Sequence, residues 1–155
     1  MTAQSFKVPV SVLVIVHTPD LQVLLIERMR PAGHWQSVTG SLETNEEPLH
    51  AAVREVEEET GLVYPAEAFL DWEHSNRFRI RGHWRPLYAP EVTHNTEHVF
   101  SLRVPEPVKV RLAPGEHTAQ CWLPWKEAAA AAFSWSNRDA ILRLPQMVGQ
   151  QPRDG

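Results

Sequence analysis

Apolar and polar positions follow two different periods along the chain, and each change of period marks an element. Val8 to Val16 and Val23 to Ile26 are β-rich runs separated by Thr18, Pro19 and Asp20, which predicts two paired strands. Trp35 to Val38 supplies a third short run before Gly40. Leu49, Ala52, Val53 and Val56 then fall at i, i+3, i+4 and i+7, the spacing of an amphipathic helix. Thr44 with Glu47 makes a capping-box pattern at its start, Pro48 suits a first turn, and Gly61 suits the C-terminal cap. Further strands are expected around Leu70 to Ile80, His98 to Val104 and Gln120 to Leu123. Two short helices follow, Lys126 to Phe133 and a second opening at Ser136 and running to Leu144. This order predicts an α+β fold.

With 155 residues the chain has the size of one domain, expected over residues 1–145. Residues 146–155, with Gly149, Pro152 and Gly155 among glutamines, are expected to form a flexible tail. The 43% hydrophobic and 22% charged content excludes a disordered chain. The longest apolar stretch, Val10 to Val16 interrupted by Ser11, is far below the roughly 20 residues of a membrane span, so neither an anchor nor a secretory leader is expected. The single cysteine, Cys121, forms no internal disulfide, suits a reducing cytoplasm, and restricts any metal site to oxygen and imidazole ligands.

Net charge is −4, but it is unevenly spread. Between Glu43 and Glu59 seven glutamates face one Arg54, giving −6 there and +2 elsewhere. A solvated helix face explains such a run, and so does a divalent-cation site. At 100° per residue Glu55 and Glu59 share one flank of the helix with Glu58 beyond them, while Glu57 falls on the other side. Three carboxylates so placed repel one another without a cation. Hard oxygen ligands favour Mg²⁺ or Mn²⁺, and Mg²⁺ takes phosphate oxygens to complete its shell, so a phosphate-bearing substrate is expected.

From Gly40 the chain gives five residues, Glu46, seven residues, Arg54, Glu55, Val56, Glu57, Glu58, Glu59, Thr60, Gly61 and Leu62. This segment resembles the Nudix box at every specified position. Seven fixed positions at roughly 5 to 7% each coincide by chance about once in 10⁸ start points. The resemblance implies a loop-helix-loop on a mixed sheet in an α/β/α sandwich, and Mg²⁺-dependent hydrolysis of a diphosphate linkage. It makes Glu55 and Glu59 metal ligands, and Glu58 a third ligand or a water-orienting group. Arg54 would support the helix and its glutamates through ion pairs, Gly40 would turn the loop and Gly61 would cap the helix. Glu46 suits either loop fixing or catalysis.

Around the box the chain is similar to one bacterial subfamily, the dihydroneopterin triphosphate diphosphatases of folate synthesis. The matching stretches are Lys7 with Pro9, Val10 and Ser11; Trp35 to Ser41; Tyr88-Ala89-Pro90 with Val92, Thr93, Asn95, Thr96 and Glu97; Glu116-His117; and Ser134 to Arg138. That similarity implies phosphate contacts at Lys7 and Arg28, substrate contacts at Thr39 and Ser134, and a further metal-binding carboxylate at Glu116. It also implies release of pyrophosphate, with Glu116 or Glu58 as the base. The substrate is then a small triphosphate, with nucleic acid and membrane excluded as partners; monomer and homodimer are both open.

The correspondence is weakest between Glu73 and Pro86, where Arg77, Arg79, Arg81 and Arg85 lie. The first three alternate with Phe78 and Ile80, which puts them on one face of a strand, either as a phosphate-binding surface or, the reading we favour, as a solvent face with core behind it. This stretch leaves base specificity open. A nucleotide-cleaning pyrophosphatase acting on dATP or an oxidised nucleotide is the alternative enzyme, and a non-catalytic nucleotide-sensing domain is the alternative of another class. Trp122, Trp125 and Trp135 are read as core or helix anchors.

Overall fold

The computed structural model describes residues 5–149. Seven strands, β1 (Val10–His17), β2 (Gln22–Arg28), β3 (Trp35–Gln36), β4 (Val38–Ser41), β5 (Phe69–Arg79), β6 (His94–Arg103) and β7 (His117–Pro124), form one sheet. The helices are α1 (Pro48–Thr60), α2 (Trp125–Ala131) and α3 (Trp135–Val148). Strand β1 runs parallel to β6 from Val10↔Thr96 to His17↔Arg103, whereas its pairings with β2 and β4 are antiparallel, so the sheet is mixed. Short β3 pairs with β2 and β4 pairs with β1, so residues 35–41 bridge two strands that touch each other only near His17.

Alternation along β1 explains the layers. Val12, Val14 and Val16 face α1 in one core with Leu24, Ile26, Val56 and Phe100, while Leu13 and Ile15 face α2 and α3 in another with Val23, Leu25, Ile141 and Leu144. The sheet thus lies between helices, the expected α/β/α sandwich, and both faces of its central strands are buried.

Several local expectations change. The run Trp35 to Val38 divides into β3 and β4. No capping box forms at Thr44 and Glu47: Glu47 is the N-cap and makes no side-chain cap bond. Pro48 has no N–H to be capped, and Glu46 turns back instead to accept from the backbone N–H of Glu43. Helix α3 opens one turn-position earlier than Ser136, because the hydroxyl of Ser134 accepts the Asn137 N–H at 3.1 Å. It also continues past Leu144 to Val148, so the first residues of the expected tail are helical; residues 150–155 lie outside the described part. Among the described residues no helix is long and apolar enough to cross a membrane.

Candidate active site

The local order of α1 aims its glutamates. Ala52 and Val56 bury against the sheet and pull Glu55 and Glu59 in with them, leaving these carboxylates 9% and 3% exposed. Glu57 and Glu58 face solvent. The fit against β4 is close: a Cβ on Gly40 would stand 2.3 Å from the Glu55 carboxyl carbon. Gly40 is therefore required by the approach of Glu55 and makes no turn, contrary to the loop-turning role expected of it. Gly61, at φ +75°, caps α1 as expected and donates its N–H to Glu57. In a Gly40→Ala variant the Glu55 side chain must move off its Arg54 contact, so kcat should fall roughly a hundredfold while the melting temperature changes little. Unchanged turnover would show that the close approach is not used.

Arg54 organises the rest of the helix surface. Its guanidinium meets Glu46 through two contacts of 2.8 Å, Glu55 at 2.8 Å and Glu58 at 3.2 Å, and it donates to the Ser41 carbonyl. Glu46 thus has the loop-fixing place, and Arg54 holds its carboxyl below the ordinary glutamate range. Arg54 Nη1 bridges Glu55 and Glu58, and Glu58, unlike Glu55 and Glu59, is exposed and does not line the cavity.

Glu55 and Glu59 touch. Burial pushes the Glu59 carboxyl well above the usual range, and its hydrogen bond with Glu55 and the charges of Glu55 and Glu116 add to the rise. Burial raises Glu55 as well, offset by the hydrogen bond from Glu59 and by Arg54. The two carboxyls titrate as a coupled pair, both pushed above the ordinary glutamate range, Glu59 the further. Glu59 Oε1 is buried without a hydrogen-bond partner. His117 Nε2 lies 3.8 Å from it, but burial and the charge of Arg28 depress the imidazole pKa and keep it neutral.

Among the described residues no three His, Cys, Asp or Glu side chains stand close enough as placed to grip an ion. Glu58 is held by Arg54, and Glu116 sits exposed on the loop that precedes β7, beside Gly115 at φ +80°. The donors nevertheless fit a hard divalent cation: two buried carboxylates in contact, one oxygen unpartnered, and a third carboxylate near enough to raise the pKa of Glu59.

These groups line a cavity of about 730 Å³. Lys7, Arg28, Thr39, Glu116 and Ser134 line it too, so it brings together all the sequence-selected residues except Glu58. The hydroxyl of Thr39 donates to the Val12 carbonyl, which leaves its contribution to the cavity to the rest of the residue. Lys7 is exposed and its backbone donates to Leu87. Arg28 stacks over Trp84 at 5.5 Å. Strand β5 ends at Arg79, so Arg81 lies beyond the strand face on which it was placed and sits over Phe133 at 5.2 Å. Arg77 points to solvent as favoured, but Arg79 and Arg81 are cavity residues. Of the tryptophans, Trp122 and Trp125 pack on the cores, whereas Trp135 is 55% exposed at the cavity rim. Sequence reasoning quoted Asn95, Glu97 and His117 among the matching stretches but gave them no role, and it missed Trp84 and the approach of His117 to Glu59, which depend on contacts between distant segments.

Residues 7–144 match the NUDIX domain family. The chain belongs to the Nudix hydrolases. It is 42% identical over 144 residues to the dihydroneopterin triphosphate diphosphatase of Escherichia coli K12, covering 91% of this chain and 95% of that one. The Haemophilus influenzae protein of the same name is 38% identical over 134 residues, 84% of each chain. The solved structure of the E. coli dihydroneopterin triphosphate pyrophosphohydrolase superposes with a TM-score of 0.83 at 40% identity, over 94% of this chain and 99% of that one. Nudix hydrolases use divalent metal ions, and the Nudix helix here is α1. The Nudix fold also explains why two distant matching stretches occur together: Asn137 accepts the Ser37 N–H at 2.8 Å and donates to the Ser37 hydroxyl at 2.9 Å, tying α3 to the β3–β4 segment at the cavity wall.

Proposed function

We propose that this Nudix hydrolase cleaves dihydroneopterin triphosphate to dihydroneopterin monophosphate and pyrophosphate, in the cytoplasm and with Mg²⁺, Mn²⁺ serving as a substitute, residues 1–145 forming the catalytic domain. The observation that carries the reading is that one cavity is lined by the paired buried glutamates Glu55 and Glu59, by the cations Lys7, Arg28, Arg79 and Arg81, and by the aromatic rings of Phe78, Trp84 and Phe133. It agrees with the names of relatives that match nearly the whole chain.

In this reading Glu55, Glu59 and Glu116 hold the cation. When bound, it supplies Lewis acidity to a phosphoryl oxygen and neutralises charge that repels a nucleophile. Lys7 and Arg28 hold the phosphates, with Thr39 and Ser134 placing the rest of the substrate. Glu116, on its exposed loop, takes the proton of the attacking water. Glu58 acts through Arg54 as a positioning residue, since it does not line the cavity. The closed ion-pair set around Arg54 keeps Glu55 in place while substrates exchange.

Product analysis tests this. Purified protein with Mg²⁺ is expected to release pyrophosphate from dihydroneopterin triphosphate with a kcat/KM well above that for any dNTP. Higher kcat/KM for dATP or an oxidised nucleotide would overturn the substrate, and no turnover of any of them would overturn the enzyme reading.

A further inference from the structure

On the α3 side of the sheet, away from the Nudix helix, three neighbouring strands place four polar side chains where a core would be apolar. Asn95 and Glu97 lie two apart on β6 and share a face; Asn76 on β5 is paired in register with Glu97, and Ser11 on β1 is paired with it from the other side. Two extra residues in β5 between Asp71 and Ser75 shift the register by an even number, which keeps Trp72 and Asn76 on the inward face. All four side chains are buried, with Glu97 6% and Asn95 4% exposed.

Their internal bonds leave a consistent remainder. Asn95 donates to the Ser11 hydroxyl at 2.8 Å, and the Asn76 carbonyl oxygen faces His74 Nε2 at 3.2 Å. The Ser136 and Asn76 side chains face the Glu97 carboxylate, while Glu97 Oε1, Asn95 Oδ1 and Asn76 Nδ2 complete no well-formed hydrogen bond. Buried polar atoms are rarely left unpaired, and three adjoining ones amount to a template for something that binds. Ser11, Asn95, Glu97 and Ser136 line the same cavity as Glu55 and Glu59, and Phe78, paired in register with Asn95, and Trp84 supply aromatic surface beside them. Glu97 shares the face of β6 with Val99, on the α3 side of the sheet, whereas Arg54 and its carboxylates belong to α1 on the other side.

We propose that Glu97, with Asn95 and Asn76, is the ring-recognition site of this enzyme and reads a 2-amino-4-oxopyrimidine edge. A carboxylate accepts from the amino group and the adjacent ring N–H together, the Asn95 oxygen is the second acceptor, and the Asn76 amide donates to the 4-carbonyl. Pterins and guanine share this edge. Resting on the pterin reading of the function, the site supplies what that reading lacks, a source of specificity for the ring.

Calorimetric titration of the full chain with 6-hydroxymethylpterin, 6-hydroxymethyllumazine and guanosine tests it. Lumazine replaces the 2-amino donor by an acceptor, so wild type should bind the pterin at least tenfold more tightly. Glu97→Gln exchanges one acceptor for a donor at equal size, and should lose about tenfold for the pterin while narrowing or inverting the preference over lumazine, which no merely structural defect would do. Asn95→Ala, the second variant should Glu97→Gln fail to fold, should weaken pterin more than lumazine. An unaltered preference in both variants, or no discrimination by wild type, overturns the site. Tighter Glu97-dependent binding of guanosine than of the pterin keeps the site and overturns the pterin substrate. Hydrolysis of dihydroneopterin triphosphate without any Glu97-dependent discrimination does the reverse.

Discussion

Glu59→Gln is expected to lower kcat about a thousandfold, roughly 4 kcal/mol of barrier, and at the same time to stabilise the metal-free protein at alkaline pH. The first effect follows from the proposed ligand role: an amide keeps the size and one oxygen but gives up the charge that holds a cation. The second follows from burial. Glu59 ordinarily titrates near 4.5, and its folded-state pKa is raised well above that value. Below 4.5 both folded and unfolded chains carry the proton, and burial has no electrostatic penalty. As pH rises past 4.5 the unfolded chain ionises first, and stability is lost until the pH passes the folded pKa. Each unit of that rise is about 1.4 kcal/mol, and for a chain of this size each kcal/mol is about 2–4 °C in melting temperature.

Comparing wild type with Glu59→Gln in chelator isolates the coupled Glu55–Glu59 pair, because Glu97, also raised by burial, is present in both. The variant should melt at least about 3 °C higher at about pH 8, with the gap closing towards pH 4.5. Adding Mg²⁺ should raise the melting temperature of wild type and leave the variant where it was. Turnover within tenfold of wild type would remove Glu59 from the ligand role, and equal melting at alkaline pH would show that its proton is not held.

Arg54→Met should cost the fold about 2–3 kcal/mol and the enzyme most of its activity. The arginine side chain is 23% exposed and touches four carboxylates, of which Glu46 and Glu55 are themselves largely buried. Removing it leaves negative charges facing each other with nothing between them, which is more costly than losing an exposed ion pair and less than orphaning a fully buried one. The melting temperature should fall by about 5–10 °C without metal. Lysine reaches only one of the partners at a time, so Arg54→Lys should recover less than half of either loss. Full rescue by lysine would mean that charge alone, and not the forked geometry, holds Glu46 and Glu55.

The site was legible in the sequence wherever its geometry is local. Spacing along one helix placed Glu55 and Glu59 on a shared inward flank and left Glu57 outside, and the structure keeps that division. The same spacing could not show that Arg54 would capture Glu58, because Glu58 lies within reach of both the cavity flank and the arginine, and Glu46, brought by the loop, decides where the arginine sits. Ser136 was taken for the cap of α3 when Ser134 is, since both have polar residues three positions on and only the path of the chain out of α2 selects one.

Period and cap chemistry act over a few residues, so the sequence by itself determined the order of strands and helices, the buried flank of the Nudix helix and the family. Tertiary structure decided what depends on register between distant segments. Gly40 must be glycine because β4 lies against α1; Ser37 and Asn137, a hundred residues apart, bond to each other and tie α3 to the β3–β4 segment; and Asn76, Asn95, Glu97 and Ser11 become one surface only when β5, β6 and β1 pair. Side-chain alternation tells which face a residue takes on its own strand, but the neighbour it meets there is set by how the strands align, and that alignment is chosen by the packing of the whole sheet between its helices.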